Sequence, residues 1–134
     1  MTELTDRPRE LIAQPNFAYV GVPRDDGSAL VTPVWVDVND AGQIELNSAE
    51  GRTWPALARK HGRIGLTVAD RANQYEYVHV AGPIVEDTHE GADEHIDALA
   101  KKYLGVDSYP ARREGEQRVI FRVEPDHVFH RAPR

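Results

Sequence analysis

Residues Asn47-Ser48-Ala49-Glu50-Gly51-Arg52-Thr53 join the end of an alternating apolar segment to the start of a helical one. A loop of this kind presents backbone N–H groups and hydroxyls at a helix N-terminus, where a phosphate or carboxylate is favoured. Arg52 adds a planar donor that is always charged. The charge count points to the same place. The 134-residue chain has a formal net charge of −6, yet residues 51–64 hold Arg52, Arg59, Lys60 and Arg63 and no acid, a local +4 that leaves −10 elsewhere. A basic island in an acidic protein suits one specific anionic ligand better than a diffuse polyanion. Against this stands an ordinary turn and cap, with Arg52 in solvent, and the residues alone leave both readings open.

Two further groups have the chemistry to meet a ligand. In Thr32-Pro33-Val34-Trp35, Pro33 cannot donate to a strand ladder and belongs at an edge or bulge. Trp35 offers a broad aromatic face and one N–H, against which a flat heteroaromatic ring could rest. Periodicity alone favours a Trp35 packed in the core. Tyr75, Tyr77 and His79 share one face of a later strand, which suits a pocket wall, a subunit seam or a wet sheet face. The six histidines, His61, His79, His89, His95, His127 and His130, show no metal-ligand spacing, so no metal is expected. Ser28 and Ser48 lack the pattern of a nucleophile elbow. The absence of cysteine excludes disulfides, thiolate-bound zinc, iron–sulfur clusters and a cysteine nucleophile. No catalytic residue is assigned.

The acidic balance argues against nucleic-acid binding and against a polybasic membrane anchor. Met1 to Glu10 is polar and charged, unlike a signal or transit peptide. No apolar run approaches the roughly 20 residues of a membrane helix. The expectation is one cytoplasmic domain over residues 1–134.

The elements that must position these residues follow from the periodicity. A short helix is expected over Arg7–Gln14, ended by Pro15 and Asn16. Strands follow at Phe17–Val22, Ala29–Val38 and Gln43–Asn47, joined by an Asp-Gly turn and the Asn39–Gly42 turn as an antiparallel meander. Thr53 is the expected N-cap of a second helix carrying Pro55, Leu57 and Ala58, with Gly62 as its stop. Arg63–Ala69 alternates as a strand, Asp70–Gln74 reads as a loop, and Glu76–Glu86 as a longer strand with a bulge or edge at Gly82-Pro83. Glu90–Leu104 is the best helix, with Ala92, Ile96, Leu99, Ala100, Tyr103 and Leu104 in one stripe. Arg118–Val123 and His127–His130 close the chain. Mostly antiparallel strands with few helices predict a mainly β fold, a small barrel with helices at its mouth and flank.

These segments, in this order, resemble the pyridoxamine 5′-phosphate oxidase-like split β-barrels, and within them the small actinobacterial proteins that use cofactor F420. The resemblance runs from about Leu11 to His130. Thr32–Trp35, Asn47–Arg52, Leu57–Arg63, Tyr77–Gly82, Asp93–Asp97, Lys102–Gly105 and Val119–Val128 carry it. It implies a split β-barrel of six to seven strands and two to three helices, and a homodimer with a cofactor groove between its subunits. The strand Thr32, Pro33, Val34, Trp35 would back the cofactor ring. The loop with Asn47, Ser48, Gly51, Arg52 and Thr53 would hold the ribityl and phosphate part. Trp54 stands where family members often carry a lysine. Arg52, Arg59, Lys60 and Arg63 would meet the longer acidic tail of F420, and Tyr77 and His79, placed near the groove, are candidates by position for the proton, which otherwise comes from water. The implied activity is hydride transfer from reduced F420 to an unsaturated small-molecule substrate. FMN or FAD as cofactor, and a carrier of flavin, deazaflavin or haem without turnover, are the competing expectations.

Overall fold

The apolar alternation of the sequence becomes eight strands and three helices in the computed structural model, which describes residues 3–133. In chain order these are α1 (Asp6–Ala13), β1 (Ala18–Pro23), β2 (Ala29–Val34), β3 (Val36–Val38), β4 (Ile44–Ala49) and α2 (Thr53–His61). Then come β5 (Arg63–Asp70), β6 (Asn73–Thr88), α3 (Ala92–Leu104), β7 (Arg118–Val123) and β8 (His127–Arg131). All pairings are antiparallel, in the order β2-β1-β5-β6-β7-β4-β3, with β8 added to β6.

The 16-residue strand β6 belongs to both halves of this sheet. Tyr77–Ala81 pairs with β8, and Ile84–Thr88 pairs with β7, with a register shift between Ile84 and Glu86. The sheet therefore forks at Gly82-Pro83, and the irregularity expected there falls just beyond it, between Ile84 and Glu86, while Gly82 and Pro83 keep their pairing with β5. Its enclosed face is filled by Val20, Val22, Leu46, Leu66, Val78 and Phe121, each 2 % exposed or less. Leu11 and Ile12 of α1 are fully buried in the same core.

Three local expectations change. The predicted strand Ala29–Val38 is broken at Trp35: β2 pairs with β1, whereas β3 pairs with β4. The expected three-strand meander is thus divided between the two halves, which is why eight strands appear. The break is pinned by α3. Tyr103 Oη accepts from Val36 N at 3.1 Å and donates to Asn16 O at 2.6 Å, while Lys102 Nζ donates to Ile12 O at 2.7 Å and to Val36 O. Burial lowers the Lys102 ammonium to about 8 and raises the Tyr103 phenol to about 12. Second, Asp70–Gln74 is not a loop; Asp70 pairs with Asn73 across a two-residue turn. Third, Arg52 rather than Thr53 is the N-cap of α2.

An ion group centred on the buried Glu76 ties α1 to the sheet. Arg7 donates to Glu76 through Nε at 3.0 Å and Nη2 at 2.6 Å, and His130 Nε2 lies 2.9 Å from the same carboxylate. Arg7 also reaches Asp70 and Glu10. These bonds, led by the one from Arg7, lower the Glu76 carboxyl from 4.5 to about 2. A carboxyl with a depressed folded-state pKa contributes stability that is present above its ordinary pKa and lost as pH falls toward the folded value. The urea midpoint is therefore expected to fall between pH 4.5 and about 2, and to fall less steeply in Glu76→Gln. An equal slope in the variant would refute this assignment.

Candidate functional site

The break at Trp35 opens a cavity of about 390 Å³ beside the β4–α2 loop. Pro33, Val34 and Trp35 form one wall, Tyr109 and Pro110 from the loop after α3 another, and Asn47, Trp54 and Arg118 lie between them with Arg52. Trp35 is half-buried rather than core. Its ring stacks on Tyr103 at a centroid distance of 5.3 Å and 6°, and Tyr109 meets it edge-on at 5.9 Å. Trp54 is buried, 5.6 Å from the Phe121 ring.

The β4–α2 loop has the local features of an anion seat. Gly51 at φ +91° makes the turn into α2 that a side-chain-bearing residue would strain to make. No side chain caps α2, and its first turn carries no acid. Ser48 Oγ is buried without a hydrogen-bond partner. Arg52 is half exposed and reaches Glu116 only at 3.9 Å.

The remainder of the basic island is differently engaged. Arg59 bridges Glu50 (2.6 and 2.9 Å) and Asp87 (2.7 and 3.1 Å); hydrogen bonds from Arg59 and then His89 lower the Glu50 carboxyl to about 2. Lys60 pairs with Asp25, and Arg63 with Asp126 at 2.7 Å. The +4 counted along the chain is largely neutralised by acids that the fold brings from elsewhere, and Arg59 and Lys60 do not line the cavity.

Of the expected site residues, Pro33, Val34, Trp35, Asn47, Arg52 and Trp54 come together at the cavity. Ser48 near the end of β4, Gly51 in the β4–α2 loop and Thr53 at the start of α2 flank it, and Thr32 is on β2 beside it. Tyr77 and His79 lie on the outer face of β6, against Phe129 and His127 respectively, and do not line the cavity. Tyr109 and Arg118 were not among the expected cofactor residues. Arg118 is 4 % exposed; its Nε donates to Asn47 Oδ1 at 2.9 Å and its Nη1 to Glu116 Oε1 at 3.0 Å, and its guanidinium lies 5.2 Å from the Tyr109 ring centroid. Among the described residues no group of three or more His, Asp or Glu is placed to hold a metal, and no helix is long and apolar enough to cross a membrane.

The arrangement has relatives among solved structures. An F420 reductase matches with a TM-score of 0.80 at 18% identity, over 94% of this chain and 98% of that one. A pyridoxamine 5′-phosphate oxidase-like protein of Lactobacillus delbrueckii matches at 0.67 and 20%, over 96% and 95%. The fold is the pyridoxamine 5′-phosphate oxidase-like split β-barrel. HupZ of Group A Streptococcus shares it, with a TM-score of 0.70 and 16% identity over 97% of this chain and 96% of that one. No protein-family model matches the sequence, and neither does any curated protein. At these identities the split β-barrel is what is shared, and the chemistry must be argued from the cavity.

Proposed function

We propose that this split barrel is an F420-dependent oxidoreductase that reduces an unsaturated organic substrate. The observation that carries the reading is an aromatic cavity adjoining an acid-free, uncapped helix N-terminus with an available arginine. The likeness to an F420 reductase supports it. When bound, a reduced deazaflavin supplies a hydride to the substrate, and a proton from solvent completes the reduction. Trp35 and Pro33 would back the ring, and Tyr109 and Pro110 would exclude water. Ser48, Gly51, Arg52 and Thr53 would hold the anionic tail, with Arg52 contributing the net charge, whereas Asn47 has both amide hydrogens engaged by Ala92 O and His95 Nδ1 and offers the tail no donor. Trp54, where a lysine is common in the family, gives the loop a buried apolar support instead of a second cation.

Two copies are proposed to form the working unit. Pro33, Tyr19, Thr67, His79 and Phe129 stand side by side in register across β2, β1, β5, β6 and β8. Tyr19 and Phe129 are each 48 % exposed on this row, and Val31 beside it is 60 % exposed. Pro33 also lines the cavity, so the row runs from the cavity onto an open aromatic face. A second copy seated there would bring Tyr77 and His79 toward the groove.

One observation favours a second reading, a non-catalytic carrier of a flavin, deazaflavin or haem: the cavity lining contains no carboxyl or imidazole to deliver a proton. Purified protein mixed with reduced F420 and a panel of enones separates these readings. Oxidation of F420 with enone reduction is expected. Tight F420 binding with no turnover on any enone would favour the carrier, and binding of FMN but not F420 would overturn the cofactor assignment. Sedimentation is expected to give a dimer; a stable 15.0 kDa monomer would remove the shared groove.

A further inference from the structure

Arg118 is a buried cation at an aromatic cavity, and its surroundings hold it in one pose. Asn47 Nδ2 donates to Ala92 O at 2.9 Å and to His95 Nδ1 at 3.1 Å. With both amide hydrogens taken, Asn47 must turn its oxygen to Arg118 Nε, at 2.9 Å. This fixes His95 as the Nε2–H tautomer, and burial disfavours its charged form. Of the five N–H donors of a guanidinium, Asn47 and Glu116 engage two. The Tyr109 ring lies 5.2 Å away.

The local charge favours an anion. Arg52 and Arg118 flank Glu116, at 3.9 and 3.0 Å, and Glu116 is itself buried at 8 % side-chain exposure. Two guanidiniums and one carboxylate leave a single positive charge. A fork of N–H groups matches the two oxygens of a carboxylate. The walls, Trp35, Tyr109 and Trp54, suit a flat ring next to that group.

We propose that Arg118 seats the carboxylate of a flat, conjugated monocarboxylate substrate, whose ring lies against Tyr109 and Trp54. This rests on the oxidoreductase reading and names the substrate class for its site. Asn47 acts as a positioning residue through its hydrogen bond to Arg118, with His95 orienting its amide.

Cinnamate and its neutral amide, cinnamamide, are the probes. Trp35 and Trp54 are the only two tryptophans of the chain, so intrinsic fluorescence reads occupancy of the cavity, with calorimetry as a second measure of affinity. Wild-type protein is expected to bind cinnamate about tenfold or more tightly than cinnamamide, as for a charge-assisted pair. In Arg118→Gln the two should bind alike, while F420 affinity, followed by the absorbance of the deazaflavin, is unchanged. Wild-type protein that binds both probes equally, or neither, overturns the proposal without recourse to the variant. One-for-one displacement of cinnamate by F420, or loss of F420 binding in folded Arg118→Gln, also overturns it, because Arg118 would then belong to the cofactor seat. Arg118-dependent cinnamate binding by a protein that takes up neither F420 nor FMN would uphold the carboxylate seat and sink the oxidoreductase reading.

Discussion

Arg52→Ala is expected to weaken F420 binding by about 1.5–3 kcal/mol, roughly 10- to 150-fold in Kd, the range for a hydrogen bond to a charged group. Arg52 is the cation of the island with the loosest carboxylate contact, 3.9 Å from Glu116. It stands at the N-cap of α2, but its side chain makes no capping bond. The substitution therefore removes charge from the loop without removing a cap, and thermal stability should change little. Arg59→Ala supplies the contrast. It breaks the bridge between Glu50 and Asp87, so it should lower stability and leave F420 affinity nearly intact. The charge count along the sequence ranks the two arginines equally; their folded surroundings do not. Fluorescence titration of both variants decides the matter, since an unchanged Kd in Arg52→Ala would place the anion site elsewhere. Raised salt should reduce the wild-type advantage, because a half-exposed charge is screened.

The elements of this fold were legible where local pattern determines them. The stops at Gly62 and Gly105, the α3 stripe through Ile96, Leu99 and Ala100, and the alternation of β5 each depend on neighbours in sequence. Leu104 leaves that stripe, being 52 % exposed at the cavity mouth. The break at Trp35 was not legible, because Val34, Val36 and Val38 keep their alternation through it. Alternation records which side of a strand is apolar and says nothing about which strand it pairs with. Tyr103 and Lys102, in α3, hold Val36 in its changed course. The site divides in the same way. Pro33, Trp35, Asn47, Arg52 and Trp54 lie in two segments whose turn and helix signals are local. Arg118 begins a strand after a charged stretch and looks like any surface arginine. Its burial depends on Asn47, 71 residues away, and on Tyr109 in a loop with no periodicity. The basic island misled for the same reason: Asp25, Asp87 and Asp126, which neutralise it, are distant in sequence.

Gly82→Ala is expected to cost roughly 3 kcal/mol of stability, the upper end for overpacking a rigid site, and about 10 °C in Tm for a domain of this size. At Gly82 the long strand β6 passes from β8 to β7, and the corner between those two strands crosses directly over it. A Cβ built on Gly82 would lie 1.9 Å from Glu124 O, 2.8 Å from Glu124 C and 3.2 Å from Pro125 Cα. These are backbone atoms, so no rotamer change relieves the overlap. Nor is the corner free to lift. Glu124 N donates to Pro83 O at 3.1 Å and Asp126 N donates to Ala81 O at 3.0 Å, one bond on either side of the glycine. Making room requires stretching both, and each is worth on the order of 1 kcal/mol. Gly65→Ala is the matched control on the neighbouring strand. Its Cβ would meet nothing closer than His79 Cε1 at 4.0 Å, so its effect should stay within the small range typical of open positions. Calorimetry of the two variants is the test, and a Gly82→Ala protein melting with the wild type would show that the corner yields. The consequence extends to the site. The corner joins β7, which begins at Arg118, to β8, which carries Phe129 of the proposed subunit face. A displaced corner should therefore weaken dimerisation and cinnamate selectivity together, a coupling that a purely local packing defect would not produce.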